Sequence, residues 1–281
     1  MDRLDPNITR LIFNQLDDES LEKACSVNEY FNKKVCTEGF WFNRILNRFP
    51  LTGDEIREYS KKDSRGRTYP DRSYREYYLD LIRNIGLYTP TWHSGHGVYV
   101  PGKYTLDDML TDGAEEGRLD LVKIAIRLGA NVHGADDYAL SATSSSGYVD
   151  IVKFLLENKA DPRAYDNESI KSAAPPGHTE IVRLLLEHGA DIHAEDDFAL
   201  RHASQIGYED TVRLLLENGA DVHANTDQSL LYAVIEGRTN IVRLLLEYGA
   251  TVREEAMMEV VNRGHEEIVL LLRDARNRVQ N

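Results

Sequence analysis

Two cysteines and nine histidines are the side chains of this chain best suited to bind a metal or attack a substrate, and their spacing decides what they can do. Cys25 and Cys36 with His93 and His96 have the ligand types of a zinc site. The cysteines, however, stand eleven positions apart on helical patterns, and the close pairing that structural zinc sites use is missing. His133, His193 and His223 invite a metal reading because they recur at equivalent places. Helices packed side by side lie about 10 Å apart, so imidazoles carried on successive units cannot share one ion, and a structural hydrogen-bonding role is expected of them. There is no nucleophile motif and no phosphate-binding loop. The sequence therefore assigns no catalytic residue, no cofactor and no metal, and it points to binding and not to catalysis.

What positions these residues is a repeat. Residues 181–194 read IVRLLLEHGADIHA, and close copies stand at 151–160, 211–224 and 241–250. Gly117, Gly147, Gly177, Gly207 and Gly237 follow one another at a constant interval of thirty, and Gly264 comes after a step three shorter. Ten positions before the first five of these glycines stand Asp107, Asp137, Asn167, Asp197 and Asp227, which are expected to cap a first helix at about 1 kcal/mol each. That helix carries Leu110, Leu140, Ile170, Leu200 and Leu230, then small residues such as Ala173, Ala203 and Ala233. A second helix begins near Asp120, Asp150, Glu180, Asp210 and Asn240. It buries pairs such as Ile151-Val152 and Leu155-Leu156 on one face and stops at Gly129, Gly189, Gly219 or Gly249.

This helix, turn, helix, Gly-Ala-Asp unit resembles the ankyrin repeat, over six copies within 106–281. The family's usual unit is about 33 residues long. The three lost here fall between Ala190 and Asp197 and in equivalent turns, so the projecting β-hairpin fingers are expected to be trimmed. The resemblance implies an all-α solenoid with a concave binding face. The residues left outside the buried columns are then the candidates for holding a target protein: Tyr138, Ser141, Ser145, Lys171, Phe198, Arg201, Gln205, Gln228, Leu231 and Ile235. Tyr138, Phe198, Arg201 and Ile235 lead, since aromatic and arginine side chains dominate interfaces. Arg273 and the polar tail suit a terminal repeat that faces water.

Charge narrows the class of partner. The net charge of −14 divides as −1 over 1–50, +2 over 51–105 and −15 over 106–281, so the repeats carry the acidity. Such a surface repels phosphate backbones and anionic lipid, which excludes nucleic acid and membrane in favour of protein. No apolar run approaches the roughly 20 residues of a membrane span, and the start, MDRLDPNITR, lacks the apolar core of a secretory signal. An intracellular protein is expected.

Residues 1–50 read as short amphipathic helices. Leu4, Pro6, Ile8, Ile12, Leu16 before an acidic turn, Leu21, Val27 with Phe31 four residues on, and Trp41 make this block resemble an F-box, the helical module that docks on the Skp-type adaptor of cullin ubiquitin ligases. Asp5 separates Leu4 from Pro6, and Phe31 stands where many members have Trp. The block and the thirty-residue repeats resemble the proteins of giant DNA viruses, which implies the host cytoplasm, or the nucleus, as the compartment. The resemblance makes those eight residues other than Phe31 the adaptor-binding set, and the chain a substrate-recognition subunit. The alternative is a scaffold or blocker of a host protein with no ligase link. Between the two blocks, 51–105 holds eight of the fifteen tyrosines. Asp71 is expected to cap a helix in which Tyr74, Tyr77, Tyr78, Leu81, Ile82 and Ile85 share a face and which Gly86 ends, forming a packed connector. Residues 89–105 are expected to be irregular or a short hairpin.

Overall fold

The computed structural model describes residues 51–61 and 105–278, with Trp41, Ile45, Phe49, residues 73, 74, 76–78 and 81, and the backbone alone of 91–92, 99–100 and 279–280. They belong to two compact units, Met1–Asn131 and Val132–Asn281. Leu4, Pro6, Ile8, Ile12, Leu16, Leu21 and Val27 lie outside the described residues, as do Cys25, Cys36, His93, His96, Asp71, Ile82, Ile85 and Gly86.

In the first unit, reciprocal capping sets the helix starts. Helix α1 (Gly53–Tyr59) begins on Thr52, whose hydroxyl accepts the Glu55 N–H while the Glu55 carboxylate accepts the Thr52 N–H at 2.8 Å. Thr105 and Asp108 do the same for α2 (Leu106–Glu115), which pairs with α3 (Leu119–Leu128). Ser73 and Glu76 repeat the arrangement at the tyrosine-rich helix. Ser73 thus serves as a cap, its Ser-x-x-Glu pairing satisfying two free N–H groups at once. Tyr77, Tyr78 and Leu81 are fully buried with Trp41, Ile45 and Ile56. The Tyr77 hydroxyl donates to Asp120 at 3.1 Å, and the Arg118 guanidinium grips both oxygens of that carboxylate at 2.9 Å. Glu55 takes Lys123 at 2.7 Å and both arms of Arg127 at 2.9 and 3.0 Å. The segment before the repeats therefore shares its core with the first helix pair. Strands β1 (Thr91–Trp92) and β2 (Tyr99–Val100) pair antiparallel, Thr91 opposite Val100, and are the one departure from helix among the described residues.

The second unit is five further helix pairs: α4 (Tyr138–Ser146) with α5 (Val149–Glu157), α6 (Ala164–Ala173) with α7 (Thr179–Glu187), α8 (Ala194–Ile206) with α9 (Glu209–Glu217), α10 (Ala224–Ile235) with α11 (Thr239–Glu247), and α12 (Glu254–Arg263) with α13 (Glu266–Gln280). The buried columns are those the repeat implies: Ile151, Val152, Leu155 and their equivalents on the second helices, Leu140, Ile170, Leu200 and Leu230 with Ala173, Ala203 and Ala233 on the first. The small side chains let neighbouring first helices approach closely.

The glycine column has a second cause beyond its left-handed backbone. A Cβ on Gly147 would stand 2.7 Å from the His178 ring, one on Gly237 2.8 Å from His265, and one on Gly177 would overlap Tyr208. His178, Tyr208, Arg238 and His265, each the residue after a glycine of the column, lie against the column's glycine in the preceding repeat.

The Asp/Asn column corrects the capping expectation. None of these side chains caps its own helix; Asp137 occupies the cap position of α4 without making the bond. Each instead spans its own helix pair, accepting the N–H of the residue 24 places on, in the segment that follows the second helix. Asp137 takes Asp161 at 2.9 Å, while Asn167, Asp197 and Asp227 take Asp191, Asp221 and Thr251 at 2.8 Å. In the first unit Asp107 takes Asn131 at 2.6 Å. The reason is the backbone before them. Residues 135–137, 165–167, 195–197 and 225–227 each form a turn of left-handed helix with φ between +45° and +61°. Where the trimmed β-hairpin was expected there is this turn. It is closed in three of the four by the N–H of Asn167, Asp197 or Asp227 donating to the carbonyl four residues back. The sixth position of the column is Glu254. Its carboxylate takes the Arg276 guanidinium from the longer α13 at 2.5 Å.

These contacts separate two kinds of glycine. Gly219 has a φ of +93° but nothing within 4 Å of an added Cβ, so Gly219→Ala is expected to lower stability by about 1 kcal/mol. Gly177→Ala must also displace a ring and is expected to cost roughly 3 kcal/mol. Lys159, at φ 75° where the other copies have glycine, should gain about 1 kcal/mol on change to Gly. Urea denaturation of the three variants measures the order, and equal losses for the two alanine variants would refute the packing argument.

Candidate functional site

The face built by the left-handed turns and first helices of the second unit holds every residue expected to touch a target, and the structure divides them. Tyr138 is 43% exposed, and Ser145 is exposed too. Ser141, Phe198, Gln205, Leu231 and Ile235 are half-buried. Lys171, Arg201 and Gln228 are committed elsewhere. Lys171 is 8% exposed, with Nζ 2.5 Å from Glu195 and 3.4 Å from Glu168. Arg201 donates to the Asp196 and Glu195 carbonyls at 2.8 Å and to Gln228 Oε1 at 2.5 Å, with its guanidinium 5.9 Å from the Phe198 ring. Asn225 donates to the same Gln228 oxygen at 2.8 Å. These polar groups tie each turn to its neighbours. Arg201 in particular satisfies two carbonyls that a left-handed turn turns outward, a demand that its sequence neighbours do not reveal.

Two features went unread in the sequence. Phe198 stacks on His202 with ring centres 4.0 Å apart, and His202 faces Tyr232 at 6.2 Å, so an aromatic row crosses from α8 to α10. Burial, with the Arg201 charge, pushes the His202 pKa down and keeps the ring neutral. The signal was present as the four-place step from Phe198 to His202 and the thirty-place step to Tyr232. Tyr165 is the second feature, 71% exposed at the tip of a left-handed turn. Of the adaptor-facing set only Trp41 is described. It is 1% exposed with its ring 5.3 Å from Tyr78, so it is a core side chain of the first unit and offers no surface.

The histidines play the structural part expected of them. Nδ1 of His133, His193 and His223 lies 3.1, 3.2 and 2.8 Å from Asp137, Asp197 and Asp227. The carboxylate can only accept, so Nδ1 carries the proton. The three carboxylates are 3–5% exposed in their side chains. Burial raises the Asp197 pKa, and the Asp221 N–H and His193 only partly offset it. At Asp227 burial acts the same way, but the Thr251 N–H, His223 and the Arg253 guanidinium at 3.0 Å outweigh it, and the pKa falls. Burial likewise opposes charge on Glu55, yet Arg127 and Lys123 hold it well below the carboxylate range. Among the described residues no three His, Cys, Asp or Glu side chains are grouped to hold a metal ion. No described helix is long and apolar enough to cross a membrane.

Residues 110–196 and 194–256, just over half the chain, match the family described as Ankyrin repeats (3 copies). No curated protein sequence is significantly similar to the chain.

The two aspartates should respond oppositely to loss of charge. Asp227, with its lowered pKa, contributes stability that is full above about pH 4 and is lost as the pH falls through its folded value. Asp197, with its raised pKa, carries a penalty above its folded value that acid relieves. Asp227→Asn is therefore expected to destabilise by about 1–2 kcal/mol at pH 7, with the difference shrinking in acid. Asp197→Asn should be neutral or stabilising at pH 7, as the natural Asn167 suggests. Denaturation at pH 7 and in acid distinguishes them; equal losses at both positions would count against the assignment.

Proposed function

The chain belongs to the ankyrin repeat family, whose repeats mediate protein–protein interaction, and from that premise we propose that it is the substrate-recognition subunit of a cullin-type ubiquitin ligase. Residues 4–27 dock on the Skp-type adaptor, the first-helix face of the repeats holds a target protein, and the ligase supplies the chemistry. The gain is effective concentration: a target held beside the charged ubiquitin conjugate reacts as if in the same molecule. The observation that supports target binding is the half-exposed aromatic row of Phe198, His202 and Tyr232 on the first-helix face. The adaptor end rests on the F-box-like letters Leu4, Pro6, Ile8, Ile12, Leu16, Leu21 and Val27. Such a protein works in the host cytoplasm or nucleus, and its likeness to giant-virus proteins makes it a viral protein that redirects host machinery.

A second reading, a scaffold or blocker without a ligase link, is favoured by the burial of Trp41. A side chain drawn from the F-box-like block into the core leaves less of that block to meet an adaptor. In either case the chain itself catalyses nothing.

Recombinant Skp-type adaptor passed over the immobilised chain separates the readings. Capture of the adaptor, lost when Leu4, Pro6 and Ile8 are all changed to Ala and kept when Trp41 is changed to Phe, is the outcome expected of the receptor. No capture, or capture indifferent to the triple change, would leave the scaffold.

A further inference from the structure

The repeat spacing shortens once, and the three residues missing between Gly237 and Gly264 are those of the left-handed turn. His223 is followed by Ala224, Asn225 and Thr226 before Asp227. Arg253 runs directly into Glu254 in extended backbone, φ −86° and ψ 161°. In the preceding repeats that turn lies against the first helix before it. Lys171 meets Glu195, and Arg201 meets Gln228, which Asn225 also holds. Leu231 stands one full repeat after Arg201, in the same column, and no turn comes to meet it. The polar residue that would tie down a turn has been replaced by an apolar one at the very place where the turn is gone.

What remains is a cavity of about 320 Å³ between α10 and α12. Leu230, Leu231 and Ala256 give it apolar walls, and Thr251, Arg253 and Glu255 a polar rim. Nε of Arg253 is held by Asp227 at 3.0 Å. Glu255 is exposed and makes no ion pair among the described residues. We propose that this cavity receives one apolar side chain of the target protein, of leucine or phenylalanine size, from an extended segment that carries Lys or Arg beside it. The volume is at the small end of ligand pockets, which suits a single anchoring side chain and not a whole helix. The charge of the flanking residue follows from Glu255 and from the −15 carried by the repeats. The inference rests on the target-binding reading of this face and adds the anchor's place and chemistry to it.

The test is a random twelve-residue peptide library panned against the full chain. It is repeated on two variants: one with Ala-Asn-Thr inserted between Arg253 and Glu254 to restore the turn, and the surface change Glu255→Arg, which disturbs no packing. The expected result is enrichment of peptides pairing an apolar residue with Lys or Arg. Their affinity should fall roughly tenfold or more on insertion and about fivefold in Glu255→Arg. Helix content by circular dichroism shows whether the insertion folds, and Glu255→Arg decides alone if it does not. Peptides without the apolar-basic pair, peptides that bind both variants as well as the parent, or no enrichment would each overturn the proposal. A target protein that binds the parent and both variants alike would overturn it while leaving the receptor reading intact.

Discussion

A side-chain oxygen of Asp or Asn accepting the N–H of the residue 24 places later is the bond on which the rest of this structure depends. It occurs at Asp107, Asp137, Asn167, Asp197 and Asp227 with distances of 2.6 to 2.9 Å. Its acceptors at Asp137, Asp197 and Asp227 are almost wholly buried. A buried carboxylate without partners is strongly disfavoured, so the opening turn of a repeat is complete only when the segment after its second helix is in place. The same residue ends a run of three left-handed positions that would cost about 1–2 kcal/mol each in isolation. The bond across the helix pair, the histidine on the same carboxylate and the turn's own closing N–H are what hold that backbone in place.

This dependence divides the polar side chains of the repeats into those that bind inward and those left for a partner. Lys171, Arg201 and Gln228 have the types of interface residues, yet Lys171 is buried and each is spent in joining turn to turn. The aromatic row and Tyr165 are not. A regular thirty-residue repeat thus keeps its polar residues for itself and leaves recognition to rings and to the irregular last unit.

The six helix pairs, their buried columns and the structural histidines were legible because each follows from the constant repeat length and from helical spacing within it. The direction of the Asp/Asn side chains was not. An Asp before a helix reads as a cap in any single copy, and only a left-handed turn, which no local preference of Ala135, Tyr165 or Glu195 announces, aims it across the helix pair. For the same reason Arg201 looked free. Most of the candidate residues do reach the surface, while Lys171, Arg201 and Gln228 bond to neighbouring turns, since sequence gives the exposure of a position more readily than the partners of its side chain. In the connector, burial of Tyr77 and Tyr78 followed from their stripe, while the reciprocal pair of Ser73 and Glu76 went unread.

The closing pair of Glu254 and Arg276 differs in kind from the bonds it stands in for. At Asp137, Asp197 and Asp227 the acceptor is buried and the donor is main chain; here both partners are side chains, 67% and 42% exposed. Such a pair is weakened by dissolved ions, while the buried bonds are shielded from them. The hold of α13 on the start of α12 therefore loosens as ionic strength rises, while the buried bonds of the earlier pairs keep theirs.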